Sequence, residues 1–356
     1  MEFDDMGKKE QKKRHQRRDD GFKALESLDL SAAIRLSDLT RAMGLTSFGG
    51  RQLGEAVDVA HAMMRDTECL KVFTVSGAMT MAKMGLVICD MIDNGMVDVV
   101  VSTGALISHG LVESLGMVHY KNPGRYTDEQ LYEMGYNRVY DSLEVEANLD
   151  DAGDVLFKVL NDFDQTEPTC SSEICRALGK YLSENMPGRG ILKSAHDKKV
   201  PVFIPAFTDC EMGLEFFINN EIRKTERKNW IPFEPFLDLQ EYARLVLERK
   251  KLGIFTVGGG VPRNWAQQAL PCIDVMMHRG LVQDEKGFKR GFTYGVRICP
   301  EPAHWGGLSG CTYAEGVSWG KFVPESEGGR YAEVLCDATI AWPIIIKALM
   351  ERLAER

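Results

Sequence analysis

One unit recurs along this chain and restricts its fold more than anything else: a short, nearly continuous apolar run stops at small or polar residues, and a helical segment follows. The runs are "KVFTVSGA", ending at Ser76-Gly77; "MVDVVVSTGA", ending at Ser102-Thr103-Gly104; "VPVFIPAFTD", ending at Thr208-Asp209; "LGIFTVGGG", ending at Gly258-Gly259-Gly260; "YGVRICPE"; and "AEVLCDATIAWP", ending at Asp337. Apolar runs without polar alternation are strands buried on both faces, and their alternation with helices implies an α/β protein built on a parallel sheet.

Before these units, "LSDLTRAMGLTSFGGRQLGEAVDVAHAMMRD" reads as helices around a turn at Ser47-Phe48-Gly49-Gly50, with Leu53, Val57, Ala60, Met63 and Met64 at helical spacing. Two segments interrupt the alternation. "MVHYKNPGRYTDEQLYEMGYNRVYDSL" is polar and tyrosine-rich, and "NNEIRKTERKNWIPFEPFLDL" is charged and carries two prolines, so both are expected to run over the surface. The expected organisation is a basic N-terminal arm, residues 1–30, and a single domain, residues 31–356, with an N-terminal helical extension. The arm's "KKEQKKRHQRRDD" is either solvated or a docking segment for a partner or neighbouring subunit.

In open parallel sheets, ligands bind beyond the carboxyl ends of the strands, where these small and acidic residues collect. Glycines there let the backbone approach a phosphate, and Asp209 or Asp337 is placed to accept from a ribose, so the layout points to a nucleotide. Each element alone is weak. Gly258-Gly259-Gly260 followed by Val261-Pro262-Arg263 is not G-x-G-x-x-G, and Asp209 also suits a helix cap for "CEMGLEFFI". Repetition at four strand ends gives the reading its weight.

Composition narrows the function classes. A net charge of −9 argues against nucleic acid as the main partner and is compatible with a cationic substrate. The nine cysteines form no C-x-x-C pair and read as reduced, buried thiols; the seven histidines form no H-E-x-x-H and no tight cluster, so no metal is expected. No apolar run approaches the roughly twenty residues needed to cross a bilayer, and a cytoplasmic protein is expected.

The stretch "EGVSWGKF", Glu315 to Phe322, admits two chemistries. Gly316-Val317-Ser318-Trp319-Gly320 fits the G-x-S-x-G of a hydrolase elbow, yet the flanks do not supply the strand and helix that an elbow needs. The other reading centres on Lys321, whose amine would have to be kept partly neutral by burial or an adjacent cation. Trp319 would offer its ring face to an ammonium, and Glu315 would pair with a substrate amine. For an isolated lysine, a solvated surface group is the simpler assignment.

These residues together resemble the deoxyhypusine synthase family. "EGVSWGKF" is similar to that family's E-A-V-S-W-G-K segment, and "MGLTSFGGRQLGEAV", "NGMVDVVVSTGALISHGL", "VPVFIPAFTD", "IFTVGGGVPRNW", "LSGCTYAEGVSWGK" and "CDAT" follow in the family's order. The resemblance implies a Rossmann-like, doubly wound NAD-binding fold, a homotetramer with sites at subunit interfaces, and transfer of an aminobutyl group from spermidine or a related polyamine through a lysine imine. By position, Lys321 is the catalytic lysine, with Glu315, Trp319 and Asn264 lining the amine pocket. Cofactor contacts fall on Gly77, Ala78, Met81, Thr103, Gly104, Ala105, His109, Asp209, Gly259, Asp337 and Ala338. The basic arm resembles in position the family segment that covers a neighbouring subunit's site.

The departures are specific. Amine-holding aspartates of the eukaryotic enzymes are replaced by Leu214 and Leu308, a catalytic histidine by Asn264 followed by Trp265, and a Thr-Ala pair near the cofactor by Pro300-Glu301. Each lost charge-assisted bond is worth roughly 1.5–3 kcal/mol, so spermidine would bind a couple of orders of magnitude more weakly unless Glu215, Glu301 or another acid substitutes. "HWGGLSG" with "GGGVPRNW" is similar to the bacterial branch called deoxyhypusine synthase-like. For that branch a protein acceptor is not assumed, and the acceptor stays open between a protein lysine and a free diamine, the latter giving homospermidine. The lost aspartates leave two other expectations open: hydrolysis of a guanidino amine such as agmatine, or a non-catalytic NAD-binding oligomer.

Overall fold

The computed structural model describes residues 21–163, 166–283 and 291–355. In chain order the elements are α1 (Leu36–Gly44), α2 (Phe48–Arg65), β1 (Cys69–Val75), α3 (Gly85–Asp93), β2 (Val99–Ser102), α4 (Gly104–Ser114), β3 (Tyr120–Lys121), α5 (Asp128–Glu133), β4 (Tyr136–Val139), β5 (Ser142–Val145) and α6 (Glu146–Leu160). There follow α7 (Ser171–Asn185), α8 (Ile191–Lys198), β6 (Val202–Phe203), α9 (Glu211–Thr225), α10 (Phe236–Leu247), β7 (Lys251–Val257), α11 (Gly260–His278), β8 (Tyr294–Ile298), α12 (Tyr313–Ser318), β9 (Arg330–Val334) and α13 (Ala338–Ala354).

All six apolar runs become strands of one parallel sheet, ordered β6-β2-β1-β7-β8-β9. Alternate residues feed opposite layers. Phe73, Val75, Val100, Phe255, Val257, Val296 and Ile298 pack into one core with the helices α2, α3, α4, α6, α7, α8 and α13. Leu70, Val72, Val99, Val101, Leu252 and Ile254 pack into a second core with α10, α11, Tyr313 and Phe322. Both faces are therefore covered, which gives the doubly wound arrangement and explains the missing polar alternation. Connections from β1 lead to β2 on one side, whereas β7, β8 and β9 succeed one another on the other side. The strand order thus reverses between β1 and β7, where such folds open a crevice.

The structure adjusts several expectations. The turn before α2 occupies residues 45–47, and Phe48, Gly49 and Gly50 already belong to the helix. A glycine inside that helix, Gly54, serves packing: a Cβ there would lie 2.4 Å from the Gly44 nitrogen. The tyrosine-rich segment folds into a small antiparallel sheet, β3-β5-β4, with α5. The first third of the segment from Asn219, residues 219–225, is the end of α9, with Asn219, Asn220 and Arg223 buried. Six of the nine cysteines are buried; Cys311 and Cys336 are half-buried and Cys272 is exposed. The charge run of the arm lies outside the described residues, and residues 21–31 are exposed.

Candidate functional site

Lys321 owes its position to a framework of buried groups. Arg297 on β8 pairs with Glu333 on β9, and its Nη1 donates to the carbonyls of Ser309 and Cys311, the latter at 3.1 Å. Glu333 in turn accepts from the Tyr313 N–H at 2.9 Å, at the start of α12. The Tyr313 ring then stacks on Tyr331 and meets Phe322 edge-on. Two glycines make room for this cluster, since a Cβ at Gly295 would lie 2.7 Å from Cε1 of Tyr313 and one at Gly316 would lie 2.5 Å from the Phe322 ring. The chain leaves α12 through Gly320 in the left-handed region (φ 67°), and the Lys321 carbonyl accepts from the Phe292 N–H at 2.9 Å.

The result is a buried amine with an open rim. Lys321 is 8% exposed; its Nζ donates to Oδ1 of Asn264 at 3.1 Å and stands 5.9 Å from the Trp319 ring centroid. Burial pulls its pKa below the ordinary 10.5, and the Arg263 guanidinium adds to this, against opposing contributions from Cys311 and Glu315. Arg263 is itself 2% exposed, and its Nε and Nη2 find no acceptor among the described residues. Trp319 is 63% exposed and Glu315 is exposed, so both form the outer edge. The fold brings Lys321, Asn264 and Trp319 together.

Ser318 is no elbow nucleophile. It ends the helix α12 rather than a strand, is exposed, and donates its hydroxyl hydrogen to the Glu315 carbonyl at 2.7 Å.

The strand-end residues sit at the turns and helix starts beyond the carboxyl ends of the strands. Gly77 is in the left-handed region (φ 78°), and its carbonyl accepts from the Thr103 hydroxyl at 3.4 Å. Thr103 caps α4 by accepting from Leu106 N–H. The Gly259 N–H donates to Ser76 Oγ at 2.9 Å, and Gly260 N–H donates to Ser309 Oγ at 3.0 Å, which ties the ends of β1 and β7 to the loop bearing Leu308. Ala78 and Ala105 are half-buried at these turns, and Met81 and Ala338 are buried. Asp337 caps α13 through one oxygen, accepting from Thr339 N–H at 2.7 Å, and remains exposed. Asp209 is exposed beyond β6; the cap of α9 is Cys210 instead.

These residues fit a dinucleotide at the switch point. A Cβ at Gly77 would approach nothing closer than Met79 Cε at 3.6 Å, and one at Gly260 nothing within 4 Å, so the backbone is open to close approach. Gly104 and Gly259 have packing reasons as well. A Cβ on Gly104 would lie 2.2 Å from Cys210 Sγ, and one on Gly259 would lie 2.5 Å from Ser309 Cα.

Of the departures, Leu214 and Leu308 are exposed, and the two acids suggested to replace the lost ones are separated. The Glu215 carboxyl packs against Gly153 of α6, and burial raises its pKa, as do Asp150 and Asp154. Glu301 folds its carboxylate over Gly307, next to Leu308. Sequence reasoning missed Arg297, Glu333, Arg263, Ser76 and Ser309. It also found no histidine cluster, whereas the fold brings His109, His119 and Glu144 together. A cavity of about 400 Å³ lined by Cys175, Arg176, His196 and Lys199 adjoins Pro201 and Val202, at the opposite end of the sheet.

Comparison with known proteins identifies the family. The family model for deoxyhypusine synthase matches residues 38–349. "Probable deoxyhypusine synthase 2" of Methanosarcina acetivorans is 35% identical over 322 residues, covering 89% of this chain and 87% of the relative. The "Deoxyhypusine synthase-like protein" of Chlorobaculum parvum is 32% identical over 301 residues, 84% of this chain and 81% of that protein. The fold is shared with the crystal structure of an Entamoeba histolytica protein assigned as a deoxyhypusine synthase, with a TM-score of 0.57 at 14% identity, covering 92% and 97% of the two chains. The chain belongs to the deoxyhypusine synthase family, whose enzymes transfer alkyl groups other than methyl.

Proposed function

We propose that the protein is an NAD-dependent aminoalkyl transferase that takes an aminobutyl-type group from spermidine or a related polyamine onto Lys321 and passes it to an acceptor amine. The observation that carries this reading is the setting of Lys321: buried, held by Asn264, beside an indole, and with its pKa lowered. An attacking amine must be neutral, and burial next to the Arg263 cation favours that form.

When bound, NAD would supply reversible hydride acceptance, by which the carbon beside the donor amine could be oxidised and later restored. Gly77, Ala78, Met81, Thr103, Gly104, Ala105, His109, Asp209, Gly259, Asp337 and Ala338 make up the proposed cofactor edge, with Gly104 and Gly259 acting through packing. The neutral Nζ of Lys321 attacks the oxidised carbon. A C–N bond to lysine forms, the bond to the departing diamine breaks, and that diamine keeps the electron pair and takes up a proton. The acceptor amine then attacks the lysine imine and frees Nζ. Trp319 and Glu315 orient the cationic end of the donor, and Glu301, whose carboxylate lies over Gly307, is the acid we assign to replace a lost aspartate.

The exposed Trp319 (63%), Leu214 (58%) and Leu308 (48%) support a site completed by a neighbouring subunit, in a homotetramer. Residues 31–356 act as one catalytic domain. The arm, residues 1–30, carries exposed Phe22, Leu25, Leu28 and Leu30 in its described part and is proposed to cover a neighbour's site. The acceptor is a protein lysine or a free diamine. Family membership does not favour the hydrolase or non-catalytic readings.

Borohydride reduction in the presence of NAD and a panel of amines tests the proposal. A reduced adduct on Lys321, located by mass spectrometry, with release of diamine is the expected result. Protein with bound NAD that yields no adduct with any amine refutes it.

A further inference from the structure

We propose that His109, His119 and Glu144 form a site for one divalent transition-metal cation of the zinc class. The residues come from three places: the middle of α4, the turn before β3, and β5. The Nδ1 of His109 lies 3.2 Å from Oε2 of Glu144, and Nε2 of His119 is in hydrogen-bond contact with that same oxygen. All three ligand atoms lie within 4.8 Å of one another. Metal–ligand bonds of roughly 2.0–2.2 Å place tetrahedral ligands about 3.3 Å apart, so only small shifts separate this arrangement from a filled site.

The surroundings match those of a metal centre. The three side chains are 9%, 1% and 0% exposed. The second oxygen of Glu144 accepts from Val145 N–H at 3.0 Å and Asn148 Nδ2 at 2.9 Å, which aims Oε2 at the histidines. On the far side of the His119 ring, Nδ1 lies 3.5 Å from Glu113 Oε1, the carboxylate–histidine–metal order in which an outer acid fixes the tautomer. Lys83 Nζ now stands 2.9 Å from that Nδ1 and 2.5 Å from Glu113; its side chain is 51% exposed, so it can keep Glu113 while leaving the ring.

Proton balance is simple for neutral rings. Without metal, each imidazole donates its N–H to Oε2. With metal, the His119 proton sits on Nδ1 facing Glu113 and the His109 proton sits on Nε2, so none is gained or lost. Two imidazole nitrogens and one carboxylate oxygen suit zinc and its neighbours, whereas magnesium and calcium take mostly oxygen ligands in larger number. Three protein ligands leave a fourth position for water. The bound cation would staple the small antiparallel sheet to α4, whose N-terminus lies at the switch-point edge. His109 is shared with the cofactor edge proposed above, so the two sites border each other, and the metal test below uses neither NAD nor an amine, so its outcome is read apart from that proposal.

The test uses full-length, tag-free protein stripped with EDTA and titrated with Zn²⁺ and Co²⁺. Expected are one equivalent bound per chain, visible Co²⁺ bands of tetrahedral intensity, and a raised melting temperature. His119→Asn and Glu144→Gln should each weaken binding by about 100-fold or more. Wild-type protein that binds no metal and shows no melting shift overturns the proposal, as does unchanged affinity in a folded His119→Asn variant. Should the variants not fold, anomalous scattering at the zinc edge decides on wild-type crystals. A peak roughly 2.0–2.2 Å from the three named atoms supports the site, and no peak there overturns it.

Discussion

Arg297→Met should loosen the segment that carries Lys321 without touching the amine itself. Arg297 is 2% exposed, and its guanidinium holds the Ser309 and Cys311 carbonyls and Glu333 together. Breaking a buried pair by removing one partner costs about 3–5 kcal/mol, because the other charge is left without compensation. Two features place this case at the lower end. The Glu333 side chain is 25% exposed and keeps its bond from Tyr313 N–H, and the Ser309 carbonyl keeps Arg263 Nη1 at 3.3 Å. The expected loss is therefore about 3 kcal/mol in equilibrium urea unfolding, with a lower yield of Lys321 adduct per folded molecule. Glu333→Gln should cost less, and a double-mutant cycle should return a coupling of about 1.5 kcal/mol or more. A loss below about 1 kcal/mol for Arg297→Met, with unchanged adduct yield, would refute the claim that this pair positions the lysine.

Lys321 has its pKa lowered below 10.5, so the rate of adduct formation should rise with pH as the amine loses its proton, and level off before that value. Arg263→Gln removes a nearby cation that favours the neutral amine, so the rising limb should move to higher pH; a limb that stays or moves lower contradicts the assignment. Asp238 on α10 accepts from Ser171 N–H at 3.1 Å, Ser171 Oγ at 2.7 Å and Ser172 N–H at 3.0 Å, capping α7 from a neighbouring helix. Asp238→Ala should cost about 3 kcal/mol in urea unfolding, and a cost below about 1 kcal/mol would show that the cap is dispensable. Ser318→Ala should change stability by no more than about 0.5 kcal/mol and leave amine chemistry intact, whereas a lost activity would restore the elbow reading.

The sheet was legible because burial on both faces writes itself into the chain as continuous apolar runs, and every such run became a strand. Strand length was less legible. The run "VPVFIPAFTD" yields only Val202–Phe203 as β6, bracketed by Pro201 and Pro205, which have no N–H to give to a ladder. The glycines after Ser47 suggested a turn, whereas the helix begins at Phe48 itself, with φ 58°. Glycine marks both turns and close packing, and sequence alone does not separate the two uses.

The same distinction explains which parts of the site could be read. Lys321, Trp319 and Glu315 lie within seven residues, so local chemistry and resemblance were enough to single them out. Their supports lie far apart in sequence. Arg297 meets Glu333 because β8 and β9 pair in parallel with those two residues in register. Neither residue type nor spacing announces that meeting. The acids invoked to replace the lost aspartates show the limit from the other side: adjacency in sequence favoured Glu215, next to Leu214, but a helix turns about 100° per residue, which carries Glu215 onto α6. Glu301, seven positions from Leu308, is returned to it by the loop that folds its carboxylate over Gly307. A substitute for a lost charge is therefore better sought on the loop that closes back on the site than on the neighbouring residue of a helix that faces away.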